Sequence, residues 1–172
     1  MRSLVSLTLA FAMMLTATAA PEGGGQLGAR SIRIAEPLQK ALATRYGTEE
    51  AQVLQQAVSD DVARAMKHAG IAAAAAARSE VLLSDARPSH PTRYQQSVNP
   101  SLDPVHSRSL GGATLSAVLR DADGKELERV SVEYYAPSLQ ESSVSLDAWA
   151  DARLTIDRFA DRLVQAYRRH QH

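Results

Sequence analysis

The sequence contains no cysteine, which excludes thiolate catalysis, iron–sulfur clusters, Cys-type zinc sites and stabilisation by disulfides. It also removes the thiol that a lipid anchor beside an export-signal cleavage site would need. Basic residues are not in excess: 19 Lys and Arg face 19 Asp and Glu. A nucleic-acid surface requires a basic field to displace phosphate counterions, so that partner class is set aside. Aromatic residues make up only 5% of the chain. Beyond the N-terminal stretch the sole Trp and sole Phe are Trp149 and Phe159. Both fall on one helical stripe, so they read as core anchors and not as ligand-stacking groups. The one long apolar run, Leu4 to Leu15, is too short to span a bilayer comfortably.

That run has a different reading. Arg2 precedes it and Ala17-Thr18-Ala19 follows it, the layout of a secretory signal peptide with a small-x-small cleavage pattern. Cleavage is expected near Ala19, leaving residues 20–172 without a transmembrane segment and with one net negative charge, because Arg2 is the only charge removed. The expected location is the periplasm, or outside the cell. Residues 20–30 read as a flexible leader: Gly23, Gly25 and Gly28 match G-x-G-x-x-G spacing, but no strand precedes them and no helix follows.

A single domain is expected over residues 31–169. "SIRIAE" alternates, with Ile32 and Ile34 on one side of a short strand. Residues 37–47 carry Leu38, Leu42 and Tyr46 at helical spacing between Pro37 and Gly47, a short helix or turn. Thr48 then reads as an N-cap with Glu49 and Glu50 in the first turn. Val53, Leu54, Ala57, Val58, Val62, Ala65, Met66 and Ala69 make one apolar stripe, and Gly70 is the stop. The Ala run at 71–77 fits helix or strand, and it feeds a strand from about Ser79 to Ala86. At the other end, Ser145 or Asp147 caps a helix whose stripe is Trp149, Ala152, Ile156, Phe159, Ala160, Leu163 and Tyr167.

Residues 87–112, "RPSHPTRYQQSVNPSLDPVHSRSLGG", contain Pro88, Pro91, Pro100 and Pro104 and show no periodicity. A connection of this length is uncommon inside a compact domain, and such arms either make contacts with partners or pack as crossovers. Arg93, Tyr94, Asp103, His106 and Arg108 are the residues expected to meet a partner there. "LDPVHSRS" also holds the residue types of a hydrolase, with Asp103, His106, Ser107 and Ser109. It lacks a G-x-S-x-G elbow and a glycine-built oxyanion loop. No catalytic residue, metal ligand or cofactor is therefore assigned, and His170 and His172 read as terminus.

"LRDADGKELERVSVEYY" opens like a calcium loop at Asp121, but the fifth and sixth positions hold Lys125 and Glu126 where an oxygen ligand and Gly are needed. Asp123-Gly124 fits a hairpin turn of type I′, with an even-length loop that sets Leu115 opposite Val132 and Ala117 opposite Val130. Leu119 and Tyr134 then share that face.

The stretch "SDARPSHPTRYQQSVNPSLDPVHSRSLGGATLSAVLRDADGKEL" and the later "WADARLTIDRFADRL" resemble an uncharacterised group of Gram-negative envelope proteins, many of them lipoproteins. The resemblance covers roughly residues 80–165. It rests on the P-x-x-P-T turn, Gly111-Gly112-Ala113, the D-A-D-G hairpin and W-A-D-A. This chain departs from the lipoprotein members by lacking the anchor Cys. The resemblance implies a periplasmic location and a small α+β fold, and it supplies no activity. The expectation is one α+β domain with a mostly antiparallel sheet and both amphipathic helices on one face. It is expected to act as a non-enzymatic binding or adaptor module whose partner is another envelope protein. A small-molecule carrier is the alternative, and an envelope hydrolase a further one.

Overall fold

A computed structural model describes residues 31–72, 79–121 and 123–170. In chain order these form β1 (Ser31–Ile34), α1 (Glu36–Ala41), a π-helical turn (Leu42–Tyr46), α2 (Glu50–His68) and β2 (Ser79–Arg87). They continue with α3 (Arg93–Val98), β3 (Gly112–Arg120), β4 (Glu126–Tyr135) and α4 (Ala150–Arg169). The sheet order is β1-β2-β3-β4. β1 runs parallel to β2, and the other two pairings are antiparallel. The protein is thus a single α+β domain with a mostly antiparallel mixed sheet.

Alternation along the strands decides which face is covered. Val81 and Leu83 of β2, Ala113, Leu115, Ala117 and Leu119 of β3, and Val130 and Val132 of β4 are all buried, while their neighbours in sequence are more exposed. α2 and α4 pack against each other and on this face. Leu54, Ala57, Val58, Val62 and Met66 of α2 point inward, and every residue of the expected α4 stripe is buried. Leu83, Leu115, Leu119, Phe159, Ile156 and Leu163 are the large side chains at the centre, each contributing roughly 1.5–3 kcal/mol by burial.

Several local expectations are corrected. α2 begins at Glu50 and not behind a Thr48 cap: Glu49 is the N-cap residue and offers no side-chain hydrogen bond. Val53 lies off the buried stripe, 39% exposed. α4 likewise has Trp149 at its N-cap without a side-chain cap, although Asp147 accepts from Trp149 N–H at 2.9 Å just ahead of it. The Ala run at 71–77 falls mostly outside the described residues.

The hairpin has the expected facing pairs by a different route. Leu115 pairs with Val132 and Ala117 with Val130, but the turn is not type I′. That type needs two positive φ angles, and of the two only Gly124 has one, at 82°. Asp121 accepts from Gly124 N–H through its carbonyl at 3.3 Å and pairs N–H to O with Lys125 at 3.0 Å. This makes an odd-length loop. A register shift between Leu119 and Arg120, which leaves Leu127 as the extra residue on β4, restores the parity. Asp121 Oδ1 accepts from Asp123 N–H and Lys125 N–H, both at 2.9 Å, so this carboxylate is turn chemistry.

Candidate functional site

The arm between β2 and β3 is neither irregular throughout nor loose. Its first ordered element, α3, is fixed by one local and one long-range interaction. Thr92 and Gln95 form a reciprocal capping box, and the Thr92 hydroxyl also donates to Tyr46 O of the π-helical turn. Tyr94 then lies so close to Gly47 that a Cβ there would stand 2.9 Å from Tyr94 Cβ, and Gly47 adopts φ 115°. Farther along, His90 Nδ1 hydrogen-bonds Pro104 O at 2.9 Å. Because a carbonyl only accepts, Nδ1 carries the proton.

Both ends of the arm are tied by one carboxylate. Asp151, fully buried in the first turn of α4, accepts from Ser89 Oγ at 2.8 Å and Ser142 Oγ at 2.7 Å through Oδ2. Oδ1 accepts from Ser143 N–H at 2.7 Å, and Gly111 N–H also donates to the carboxylate. Burial alone would raise this carboxyl's pKa. The hydrogen bonds from Ser143, Ser142, Ser89 and Gly111 outweigh it and hold the pKa below the ordinary value. Gly111 has no room for a side chain, since a Cβ would fall on Ser89 Oγ and 3.0 Å from Asp151 Oδ2.

Braced in this way, the arm closes one wall of a cavity of about 390 Å³. Arg45 comes from the π-helical turn, Arg87 from the end of β2, and Ser107, Arg108 and Ser109 from the arm, with His90 behind them. Three arginines line it, and no Asp or Glu is among its described lining residues. Each is held by part of itself. Arg45 lies 5.3 Å from the Tyr46 ring centroid. Arg87 lies 4.7 Å from the Tyr135 ring centroid, with Nε 3.5 Å from Asp85 Oδ2. Arg108 donates through one terminal nitrogen to Ser142 O and Ser143 O, at 3.3 and 3.1 Å. Next to this wall, burial and the Asp85 carboxylate push the Tyr135 phenol up to about 12.

No family model matches the chain. No curated protein and no solved structure matches it either.

The fold brings only part of the expected contact set together. Arg108 lies in the cavity wall. Arg93 lines a separate cleft with Glu49, Pro104 and Trp149, and Tyr94 is exposed on α3. Asp103 and His106 pair with each other at 2.9 Å. Asp103 Oδ1 also accepts from the His106 and Val105 N–H groups, both at 2.7 Å, and these bonds lower its pKa. The arrangement is an exposed Asx turn, in which Ser107 Oγ accepts from Asp103 N–H at 3.0 Å. Arg45 and Arg87 had no local signal in the sequence. They join Arg108 only through the fold.

Proposed function

We propose that this chain is an exported, non-enzymatic binding module of the bacterial envelope that meets another envelope component through the 88–111 arm. The observation that carries this reading is the bracing of the arm. A buried carboxylate holds it near both ends, through the Ser89 hydroxyl at one and the Gly111 backbone at the other, while Arg93, Tyr94 and His106 remain exposed. Ordering a loop in advance lowers the entropic cost of binding, and a surface of this kind needs no moving parts to present charged and aromatic groups.

The carrier alternative calls for an enclosed apolar cavity. Among the described residues the pockets are open grooves with mixed polar and apolar walls, such as that of about 580 Å³ along α2 beside Glu49, Gln52, Val53, Gln56, Asp60 and Arg153. They favour the binding module. The experiment is site-specific photo-cross-linking in cells, with the cross-linker at Tyr94 or His106 and, as a control, at the exposed Leu154 on α4. The expected result is a discrete adduct in the envelope fraction from the arm positions alone. Equal adducts from Leu154, or none from the arm, would refute the reading.

A further inference from the structure

We propose that the cavity beneath the arm is an anion site for a phosphate-class oxyanion, held by Arg45, Arg87 and Arg108 with the Ser107 hydroxyl. This deepens the binding-module reading and rests on it, because it names the chemistry that the arm presents. The first support is charge. Three arginines line a cavity with no Asp or Glu among its described lining residues, and Asp85, outside that lining, stands 3.5 Å from Arg87 Nε and also accepts from the Tyr135 hydroxyl. Assembling three like charges is unfavourable on its own, and a bound anion relieves it.

The second support is donor geometry. A guanidinium has five N–H donors. Arg108 uses one terminal nitrogen on two carbonyls. Arg87 faces Asp85 through Nε, and Arg45 is held by a ring face. Each therefore retains donors while its position is restrained. Ser107 Oγ is occupied as an acceptor by Asp103 N–H, which leaves its own O–H to donate. Ser109 Oγ already donates to Pro88 O at 2.6 Å, so its role is to fix the wall. A tetrahedral phosphate oxyanion, whose oxygens point in several directions, matches several guanidinium donors better than a single planar carboxylate does.

The phosphate can be free or can belong to a phospholipid headgroup, and the test separates the two. The full mature protein, labelled for NMR of arginine Nε–H groups, is titrated with inorganic phosphate and then with acetate at constant ionic strength. A parallel flotation assay uses vesicles of phosphatidylglycerol, with phosphatidylcholine vesicles as the zwitterionic comparison. The site is supported when phosphate shifts the Arg45, Arg87 and Arg108 signals, and Arg45→Gln weakens the response about tenfold while Arg162→Gln on the exposed side of α4 leaves it unchanged. Arg45→Gln is the decisive variant because, among the described residues, the exposed Arg45 side chain forms no hydrogen bond to backbone whose loss would disturb folding. Flotation with phosphatidylglycerol that Arg45→Gln abolishes identifies the source as a headgroup.

The proposal is overturned if phosphate and vesicles both leave these signals unmoved, if acetate acts as strongly as phosphate, or if Arg45→Gln changes nothing. Cross-links from Tyr94 and His106 that persist when phosphate fails would leave the binding module standing and remove only the anion site. Phosphate shifts without arm cross-links would do the reverse.

Discussion

Replacing Asp151 should loosen both ends of the arm at once. In Asp151→Ala, the Ser89 and Ser142 hydroxyls and the Ser143 and Gly111 N–H groups lose their acceptor. The hydroxyls can rotate toward other acceptors, but the two backbone donors cannot. A buried donor left unpaired costs roughly 1–3 kcal/mol, so the expected loss is about 3 kcal/mol in urea denaturation followed by Trp149 fluorescence. Asp151→Asn should cost less, about 1–2 kcal/mol, for the loss of charge assistance. Its carbonyl can take the place of Oδ1 before Ser143 N–H while its amide faces hydroxyls that can turn to accept. The pH dependence has a definite sign. Hydrogen bonding depresses the folded pKa of Asp151 below its ordinary value of 3.8, so its contribution is present above pH 4 and is lost as pH falls through the folded value. The stability gap between wild type and Asp151→Asn should therefore narrow on acidification below about pH 4. A loss under about 1 kcal/mol for Asp151→Ala, or a gap that widens in acid, would refute this account. Hydrogen exchange at the Ser143 and Gly111 amides should accelerate in the Ala variant even under native conditions.

Three further outcomes are expected. Gly112→Ala places a Cβ against Tyr134 O and 2.6 Å from Tyr135 Cα, so it should disrupt β3–β4 pairing and lower Tm sharply, whereas Gly124→Ala meets open space and should cost only about 1 kcal/mol from its positive φ. Phe159→Ala, at a fully buried side chain in the α4 stripe, should cost about 3–5 kcal/mol in chemical denaturation. Asp103→Asn should speed exchange of the Val105 and His106 amides, measured by NMR, without moving the global unfolding transition, because that turn is exposed and self-contained.

Periodic burial made much of the fold legible. The steps of three and four in α4 and the alternation in β3 and β4 are direct images of one buried face, so the stripes and the facing pairs Leu115–Val132 and Ala117–Val130 could be read without coordinates. α3 was missed because its six residues bury nothing and show no period. The available signal was the Thr92-x-x-Gln95 capping box. Asp151 was also missed. An acidic residue in a first helical turn usually faces solvent, and only the converging Ser89, Gly111, Ser142 and Ser143 make its burial tolerable.

The sequence by itself determined the fold class, the two packed helices and the hairpin pairing, because each follows from local spacing and the single requirement that apolar side chains leave water. Tertiary structure alone decided the parallel seat of β1 beside β2, the stapled arm and the meeting of Arg45, Arg87 and Arg108. Those features depend on groups distant in sequence reaching one place, and that proximity is set by packing and has no period to betray it.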